Sequence, residues 1–568
     1  MKPTSFSIAL GPTRLSLHDV SCVFEDSHCS LWVNVDNPYY IQYQTDHTGF
    51  SLFMGERTAS PFEEPEATHP GASGTLIRYD STTHQFRLST DRLGTAIVFH
   101  RQLGDGTYCL SNRLEHLISN ETTVEWHSIQ QYLCRGYTLD SKTFFQEIQQ
   151  TLPNQEITVS LDGPVPSVSV SGRTRSSDDD SEDPVNTIAE RLRDHLRSSP
   201  PGVLMMSAGW DSRTLLLDGS TPFATAYSHG DLSSRELRIT QRLTGSVRLD
   251  HIFTEISRLD FTPQLLESML NENGFCVFPI WYLAAQKIKK IYDAPLVSGV
   301  LGELLGGHYG LLSLGNRWQK LKSALFIFNK QRIPDHRIEA AVRKFALPPT
   351  SHWFLTDDAN AHFSTLADKT AQQTYDSLSR QYQETRDWQL AIEQFNMDHR
   401  ARQYILKQAQ AASCLIGYRL PFADDRAVEA IGKLPFSERV HNKTNQEILR
   451  RHHSELLKEP MSATLVGAKY PIPIQELSRG VRIVKELLSR RLRNKSPQLG
   501  WFNYEHLYQS SSLYDIIDSL QHEMWDKEKM RLTIKDNPKN SIDAGSTLDM
   551  LAKVKTVDYY LAFAKRER

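Results

Sequence analysis

The stretch that most restricts the fold is Gly202-Val203-Leu204-Met205-Met206, which runs directly into Ser207-Ala208-Gly209-Trp210-Asp211-Ser212-Arg213. A short unbroken apolar run suits a strand buried on both faces of a parallel sheet. The small, hydroxylated loop behind it suits a turn into a helix. Such a junction aims backbone N–H groups and the positive end of a helix at one point, where an anion can sit. Small side chains let the backbone approach phosphate closely, Ser207 and Ser212 offer hydroxyl donors, and Asp211 is able to hold a magnesium ion. No GK[ST] ending is present, so this is not a Walker-type loop.

The flanking rhythm agrees. Apolar spacing predicts helices over 185–198, 213–217, 233–243 and 281–292, and strands over 223–227, 251–254 and 294–298. Strands alternating with helices imply a doubly wound parallel sheet. From about 315 to 460 the pattern is mostly helical. Residues 1–172 read differently, with short alternating runs at 30–35, 39–43, 75–79, 85–89, 157–161 and 168–170, broken by Asp, Gly, Asn and Pro, and one helix over 128–135. Residues 173–184, with Asp178-Asp179-Asp180-Ser181-Glu182-Asp183, read as an exposed acidic linker. The expected chain is therefore α/β overall. An α+β sandwich (1–172) and the linker precede a parallel-sheet domain (185–474) with helical additions, and a helical extension (475–568) follows.

With 64 basic against 67 acidic residues, the net charge of −3 gives no global attraction for nucleic acid. The six cysteines form no CxxC or zinc-like spacing, which predicts free buried thiols in a reducing compartment. No apolar run approaches a spanning length and the start resembles no signal peptide, so a cytoplasmic location is expected.

Ser207-Ala208-Gly209-Trp210-Asp211-Ser212 resembles the SGGxDS loop of the PP-loop ATP pyrophosphatases, with Ala208 at the first Gly. Ser298-Gly299-Val300-Leu301-Gly302-Glu303-Leu304-Leu305-Gly306-Gly307-His308-Tyr309 resembles the SGxGxDExxGGY segment of asparagine synthetases. Glu303 stands at the metal-binding Asp of that segment, while Val300 and Leu304 replace acidic residues. Arg419-Leu420-Pro421-Phe422-Ala423-Asp424 with Leu434-Pro435 is similar to RxPFLD…LP, and Lys443 with Leu449-Arg450 follows in order. Lys469 lies near a lysine that this superfamily aims at the reacting phosphate and carbonyl. In the first half, Asp91-Arg92-Leu93-Gly94, Cys109-Leu110-Ser111-Asn112 and Phe144-Phe145 with Leu152-Pro153 resemble turns and strands of the family's glutaminase domain. The chain is thus identified as asparagine synthetase-like over 75–470, with an Ntn-hydrolase-like sandwich ahead of a PP-loop domain. One departure is large. A class II glutaminase needs Cys at position 2, and this chain has Lys2. The resemblance is then to members with a degenerate glutaminase domain, such as β-lactam synthetases and lasso-peptide cyclases.

This resemblance implies ATP and Mg2+ as cofactors, with Asp211 and Glu303 as metal ligands. Ser207, Ala208, Gly209, Trp210, Asp211, Ser212, Ser228, Ser298 and Gly299 would bind ATP and pyrophosphate, with 223–228 flanking the adenine. It also implies Lys469, Tyr309 and His308 as catalytic candidates, Tyr282 being a further candidate base. The implied reaction is adenylation of a small-molecule, glycan or peptide carboxylate, then transfer to an amine or ammonia. Ammonia-dependent asparagine formation and a non-catalytic nucleotide-binding scaffold are the alternatives. A nucleobase-thiolating enzyme would need cysteines near the loop, and none is there. Residues 479–495 carry seven basic residues and one acidic, with Val481, Val484, Leu487, Leu488 and Leu492 on one helical face. That pattern predicts either a packed helix or peripheral contact with an anionic membrane. A homodimer is the default assembly.

Overall fold

The structure, a computed structural model, describes residues 5–12, 20–34, 40–57, 62, 73–163, 165–172, 183–198, 201–256, 260–315, 317–331, 333–349, 351–493, 511–536 and 544–567. Lys2 and most of the expected acidic linker, 173–182, lie outside these residues.

The first part is built from strands β1 (Ser5–Leu10), β2 (Ser21–Glu25), β3 (Cys29–Asn34), β4 (Ile41–Asp46), β5 (Gly49–Gly55), β6 (Gly74–Asp80), β7 (Gln85–Thr90), β8 (Phe99–Gln102), β9 (Tyr108–Ser111), β10 (Gln149–Gln150), β11 (Gln155–Ser160) and β12 (Ser167–Gly172). They form two six-stranded antiparallel sheets, ordered β10-β8-β9-β1-β3-β2 and β12-β11-β7-β6-β5-β4. Period-2 alternation puts Phe86 and Leu88 of β7 and Ile157 and Val159 of β11 on one inner face. There they meet Phe6, Ile8 and Leu10 of β1 in a single core. The Asp91-Arg92-Leu93-Gly94 turn is closed by the buried Asp91 carboxylate. It accepts the Leu93 and Thr95 amides at 2.8 and 3.1 Å, while Gly94 takes a φ of +57°.

The second part is a five-stranded parallel sheet of β13 (Gly202–Met205), β14 (Phe223–Gly230), β15 (His251–Glu255), β16 (Leu296–Val297) and β17 (Tyr418–Arg419). Its order is β15-β14-β13-β16-β17. The chain moves outward from β13 in one direction, then returns to its other side with β16. The crevice between the loops after β13 and β16 is thus a topological switch point, where ligands bind in open α/β sheets. The expected parallel sheet is present. β17 is an addition, since two residues after a helical region carry no readable period.

The two parts are tied by buried polar contacts. Glu56 accepts the Leu420 amide at 2.9 Å and lies 3.1 Å from His195. Residues Asn396–Ile405 are wound as a π-helix. From it, Arg402 donates to the carbonyls of Gly94 and Thr151, and Gln403 to that of Thr138 at 2.9 Å. The helices Ser512–Asp518, Lys527–Asp536 and Ala544–Glu567 share one apolar core with the helices Trp126–Arg135 and Pro263–Asn273. The cysteines are free, but they are not uniformly buried. Cys29, Cys109, Cys276 and Cys414 are, whereas Cys22 is exposed and Cys134 half-buried. No helix among the described residues is long and apolar enough to cross a membrane.

Candidate functional site

The apolar run 202–206 forms the central strand, and its last residue, Met206, still donates its N–H to Tyr227 at 2.8 Å. The loop that follows folds on its two hydroxyls. Ser212 Oγ accepts the Ser207 N–H at 3.0 Å and lies 3.0 Å from Ser207 Oγ and 3.1 Å from the Ser207 carbonyl. Ser207 Oγ accepts the Gly209 N–H at 3.2 Å. One proton arrangement satisfies all of these: Ser212 donates to the carbonyl and Ser207 donates to Ser212. Ser212 thus shapes the loop from a buried position, and Ser207 is left exposed at its mouth.

The α-helix behind the loop starts earlier than the expected 213–217 and ends before Leu215. It is one turn, Trp210–Thr214, continued as a 3-10 segment, Leu215–Asp218, that drives Leu215, Leu216 and Leu217 into the core. A single turn has little macrodipole, so anion affinity here rests on loop amides and hydroxyls. Three of those amides are engaged within the protein, Ser207 and Gly209 by the two hydroxyls and Ala208 by a carboxylate. Ala208 donates to Glu236 Oε2 at 2.6 Å, from the first turn of the helix Arg235–Ser246. The local sequence gives no sign of this contact.

The second loop meets the first. A Cβ on Gly302 would lie 2.6 Å from Asp211 Cβ and Cγ, and one on Gly299 would lie 2.9 Å from the Ser212 nitrogen. These glycines are what bring Glu303 beside Asp211. Between them Leu301, fully buried, takes a φ of +74°, a strained left-handed conformation for a branched residue. Ser298 Oγ accepts the Val300 amide at 3.1 Å and so also works within its loop. Tyr309, 1% exposed, donates its hydroxyl to Glu303 Oε2 at 2.7 Å, and Arg400 lies 5.9 Å from its ring centroid. Burial, then the Glu303 charge, push the Tyr309 hydroxyl well above its usual range, so it stays a donor.

Burial, and after it the Glu303 charge, hold the Asp211 carboxyl well above the usual carboxylate range. Its charged neighbour is another carboxylate, and a cation between the two would relieve both effects. Magnesium takes one or two protein carboxylates and completes its shell with phosphate oxygens and water. Asp211 and Glu303 fit that role. Among the described residues no group of three or more His, Cys, Asp or Glu is placed to hold a metal.

The remaining predicted residues scatter around this centre. Ser228 donates to the Met206 carbonyl at 2.7 Å and lies 3.0 Å from His251 Nε2, at the loop end of β14. Phe223 does not share that position. It pairs with Gly202 at the opposite end of the sheet and is packed in the core, so only the last residues of 223–228 approach the loop. Trp210 stands half-buried with the Arg213 guanidinium 5.9 Å from its ring. His308 is exposed and folds back over Gly306. Tyr282 is fully buried in the other core, beside Glu272, and is not brought to the loop.

Lys469 is exposed, 5.7 Å from the Tyr470 ring centroid. Its backbone belongs to a segment that Arg213 ties to the first loop. The fully buried guanidinium donates to the carbonyls of Leu456, Glu459 and Pro460 at 3.1, 3.0 and 2.7 Å. The Lys469 amide then donates to Leu457 at 2.9 Å. Arg213 and Glu236, both overlooked by motif reading, are thus the side chains that couple this loop to its surroundings. Arg419 and Lys443 bond backbone carbonyls, of His195 and Leu196 and of Ser437 respectively.

No curated protein matches the chain. The family model described as asparagine synthase matches residues 186–534, more than half of its length, and so takes in both loops, Arg213, Glu236 and Lys469 as well as helices beyond 474. The chain belongs to the asparagine synthase family, and with it to the carbon–nitrogen ligases.

Proposed function

We propose that this protein is an ATP-dependent, AMP-forming amide ligase that works without a glutaminase of its own. The observation that carries the reading is the meeting of the 207–212 and 298–303 loops at the switch point, with Asp211 and Glu303 side by side. A substrate carboxylate oxygen attacks the α-phosphorus of ATP, and the bond to the β-phosphate bridging oxygen breaks, releasing pyrophosphate. An amine then attacks the acyl carbon, the bond to the phosphate oxygen breaks, AMP leaves, and the amine loses a proton. Ser207, exposed at the loop mouth, would meet the pyrophosphate, as would the Gly209 amide on leaving Ser207 Oγ, while Ser212 and Ser298 keep the two loops in shape. Magnesium, held by Asp211 and Glu303, would neutralise triphosphate charge. Tyr309 orients Glu303 by its hydrogen bond, and Lys469 supplies positive charge toward the developing oxyanion. The protein mostly positions groups and excludes water.

Lys2 removes the nucleophile that would release ammonia from glutamine, so the acceptor is an amine or free ammonia. With Val300 and Leu304 in place of family acidic residues, we favour a sugar acid, a peptide or another small carboxylate over aspartate. A scaffold reading draws on one observation, the Glu236 carboxylate seated on the Ala208 amide where a phosphate oxygen would bind.

The test is calorimetric titration of ATP with magnesium into wild type and Asp211→Ala, followed by a screen of carboxylates for pyrophosphate release. Binding that the substitution abolishes, with carboxylate-dependent pyrophosphate release, supports the ligase. Nucleotide binding with no pyrophosphate from any carboxylate and amine pair would turn the reading to the scaffold.

A further inference from the structure

The helix Ile472–Arg493 is amphipathic, yet it faces the wrong way for a packed helix. Its attachment to the body is polar. Gln475 donates to the carbonyls of Ala468 and Tyr470 at 3.2 and 2.8 Å, Ser478 to Thr464 at 2.5 Å, and Arg482 to Ala463 at 2.9 Å. Positions 475, 478 and 482 share one face. The apolar positions 477, 481, 484 and 488 share another, roughly a third of a turn round the helix. There Leu477 is 70% exposed, Val481 60%, Val484 56% and Leu488 52%, with Ile474 at 46% beside them. A packed helix would bury the expected stripe, and at Val481, Val484 and Leu488 it is exposed instead; the side chains of Leu487 and Leu492 lie outside the described residues.

A continuous apolar ridge on a single helix needs an occupant, and charge selects it. Lys485 stands exposed on this helix, Arg479 pairs with Glu476 at 3.1 Å, Arg482 is the residue bonded to Ala463, and the sequence adds Arg490, Arg491 and Arg493 before the helix ends, against Glu476 and Glu486. Net positive charge is thus concentrated on one element of a chain whose overall charge is −3. The shape is a ridge rather than a groove, so it inserts into a surface rather than receiving a segment. Aliphatic side chains on one face with flanking cations on long stems match the boundary of an anionic bilayer, where the chains enter and the cations reach headgroups.

We propose that the helix Ile472–Arg493 docks the protein on an anionic lipid surface, the Leu477–Val481–Val484–Leu488 stripe inserting and the basic residues engaging headgroups. The element follows Lys469 directly in the chain. This inference stands independently of the ligase reading.

The test is co-sedimentation of the full chain with vesicles of phosphatidylcholine alone and of phosphatidylcholine with about one-third phosphatidylglycerol. Binding is expected to the anionic vesicles only, and to weaken as salt shortens the range of the charges. Leu477→Asp with Val484→Asp is expected to lower partitioning about a hundredfold, and Lys485→Gln about fivefold. Both variants should melt as wild type does, because the altered side chains are solvent-exposed. Val481→Asp, on the same stripe, gives the same readout should the double variant fold poorly. Sedimentation of wild type with neither vesicle, or equal sedimentation of the stripe variants, overturns the proposal. Self-association that the stripe variants abolish, without vesicle binding, overturns it in favour of a second copy of the chain.

Discussion

Gly302→Ala is the sharpest test of the meeting of the two loops. The new Cβ would stand 2.6 Å from Asp211 Cβ and Cγ and 2.7 Å from its Oδ1. Ordinary carbon contacts lie at about 3.5–4.0 Å, so the Asp211 carboxylate or the Glu303 loop must retreat by roughly 1 Å. Overpacking of this kind costs about 1–3 kcal/mol, which the fold should tolerate, with a melting midpoint lowered by a few degrees. The functional effect is expected to be larger, because a displacement of about 1 Å in a positioning group costs about a hundredfold. Calorimetric titration of Mg-ATP reads the affinity, and a thermal melt on the same sample reads the fold. Gly432→Ala is the matched control. A Cβ there meets nothing within 4 Å, and it lies in the helix Asp425–Lys433, so it should stabilise slightly and leave nucleotide affinity unchanged. Unaltered Mg-ATP affinity in Gly302→Ala would refute the assignment of Asp211 and Glu303 to one cation.

Glu236→Ala frees the Ala208 amide. ATP affinity should rise about fivefold if phosphate takes the vacated position, and weaker binding would mean that Glu236 shapes the loop instead. The raised pKa of Asp211 means the folded chain holds that proton more tightly than the unfolded chain. This contribution to stability falls as pH rises through the carboxylate range and above it. Without magnesium, Asp211→Asn should therefore melt above wild type at neutral pH, and in wild type the stabilisation by magnesium should grow with pH. Arg213→Met leaves the carbonyls of Leu456, Glu459 and Pro460 without their donor, and should expose 460–470 to limited proteolysis while reducing pyrophosphate release. His195 has the same sign of pH dependence, although here the charged form is the one favoured. Burial disfavours its charge, but Glu56 and then Asp424 outweigh that and raise its pKa from 6.5 to about 9. The resulting stabilisation, on the order of 3 kcal/mol, is complete below pH 6.5 and lost as pH passes about 9. A melting series across that window should show the loss in wild type and not in His195→Gln.

The sheets were legible where one periodicity ran long enough. β7 and β11 alternate over six residues each, and the sequence places both within a residue or two of their ends. β5 was not read as a strand because it is buried on nearly all positions, so its apolar residues do not alternate. β16 falls within the expected strand 294–298, but β17 is two residues long, and its pairing with β16 joins chain segments more than a hundred positions apart. Contacts of that range leave no local signature. The helix Ile472–Arg493 shows the same limit from another side, since its period predicted an amphipathic helix but not which face meets the body.

Within the candidate site, residues whose role is local were readable and those acting at a distance were not. Ser207, Gly209, Asp211 and Ser212 form a loop whose small size and hydroxyls explain themselves in a stretch of six residues. Glu303 was found through its own loop, but its approach to Asp211 depends on Gly299 and Gly302, whose missing side chains matter only once the two loops face each other. Arg213 and Glu236 look like ordinary helix residues in the sequence. In the fold one holds the segment that carries Lys469 and the other occupies a loop amide. These long-range contacts have a consequence for Val300 and Leu304. The carboxylate pair and its Tyr309 partner persist although both family acidic positions have become aliphatic, and Val300 and Leu304 are now buried in the core beneath the loop. Gly299 and Gly302 bring the two carboxylates together, and their closeness carries an electrostatic cost. A costly carboxylate pair above an aliphatic floor accords with the proposed ligase, in which the cation of a bound nucleotide would offset that cost.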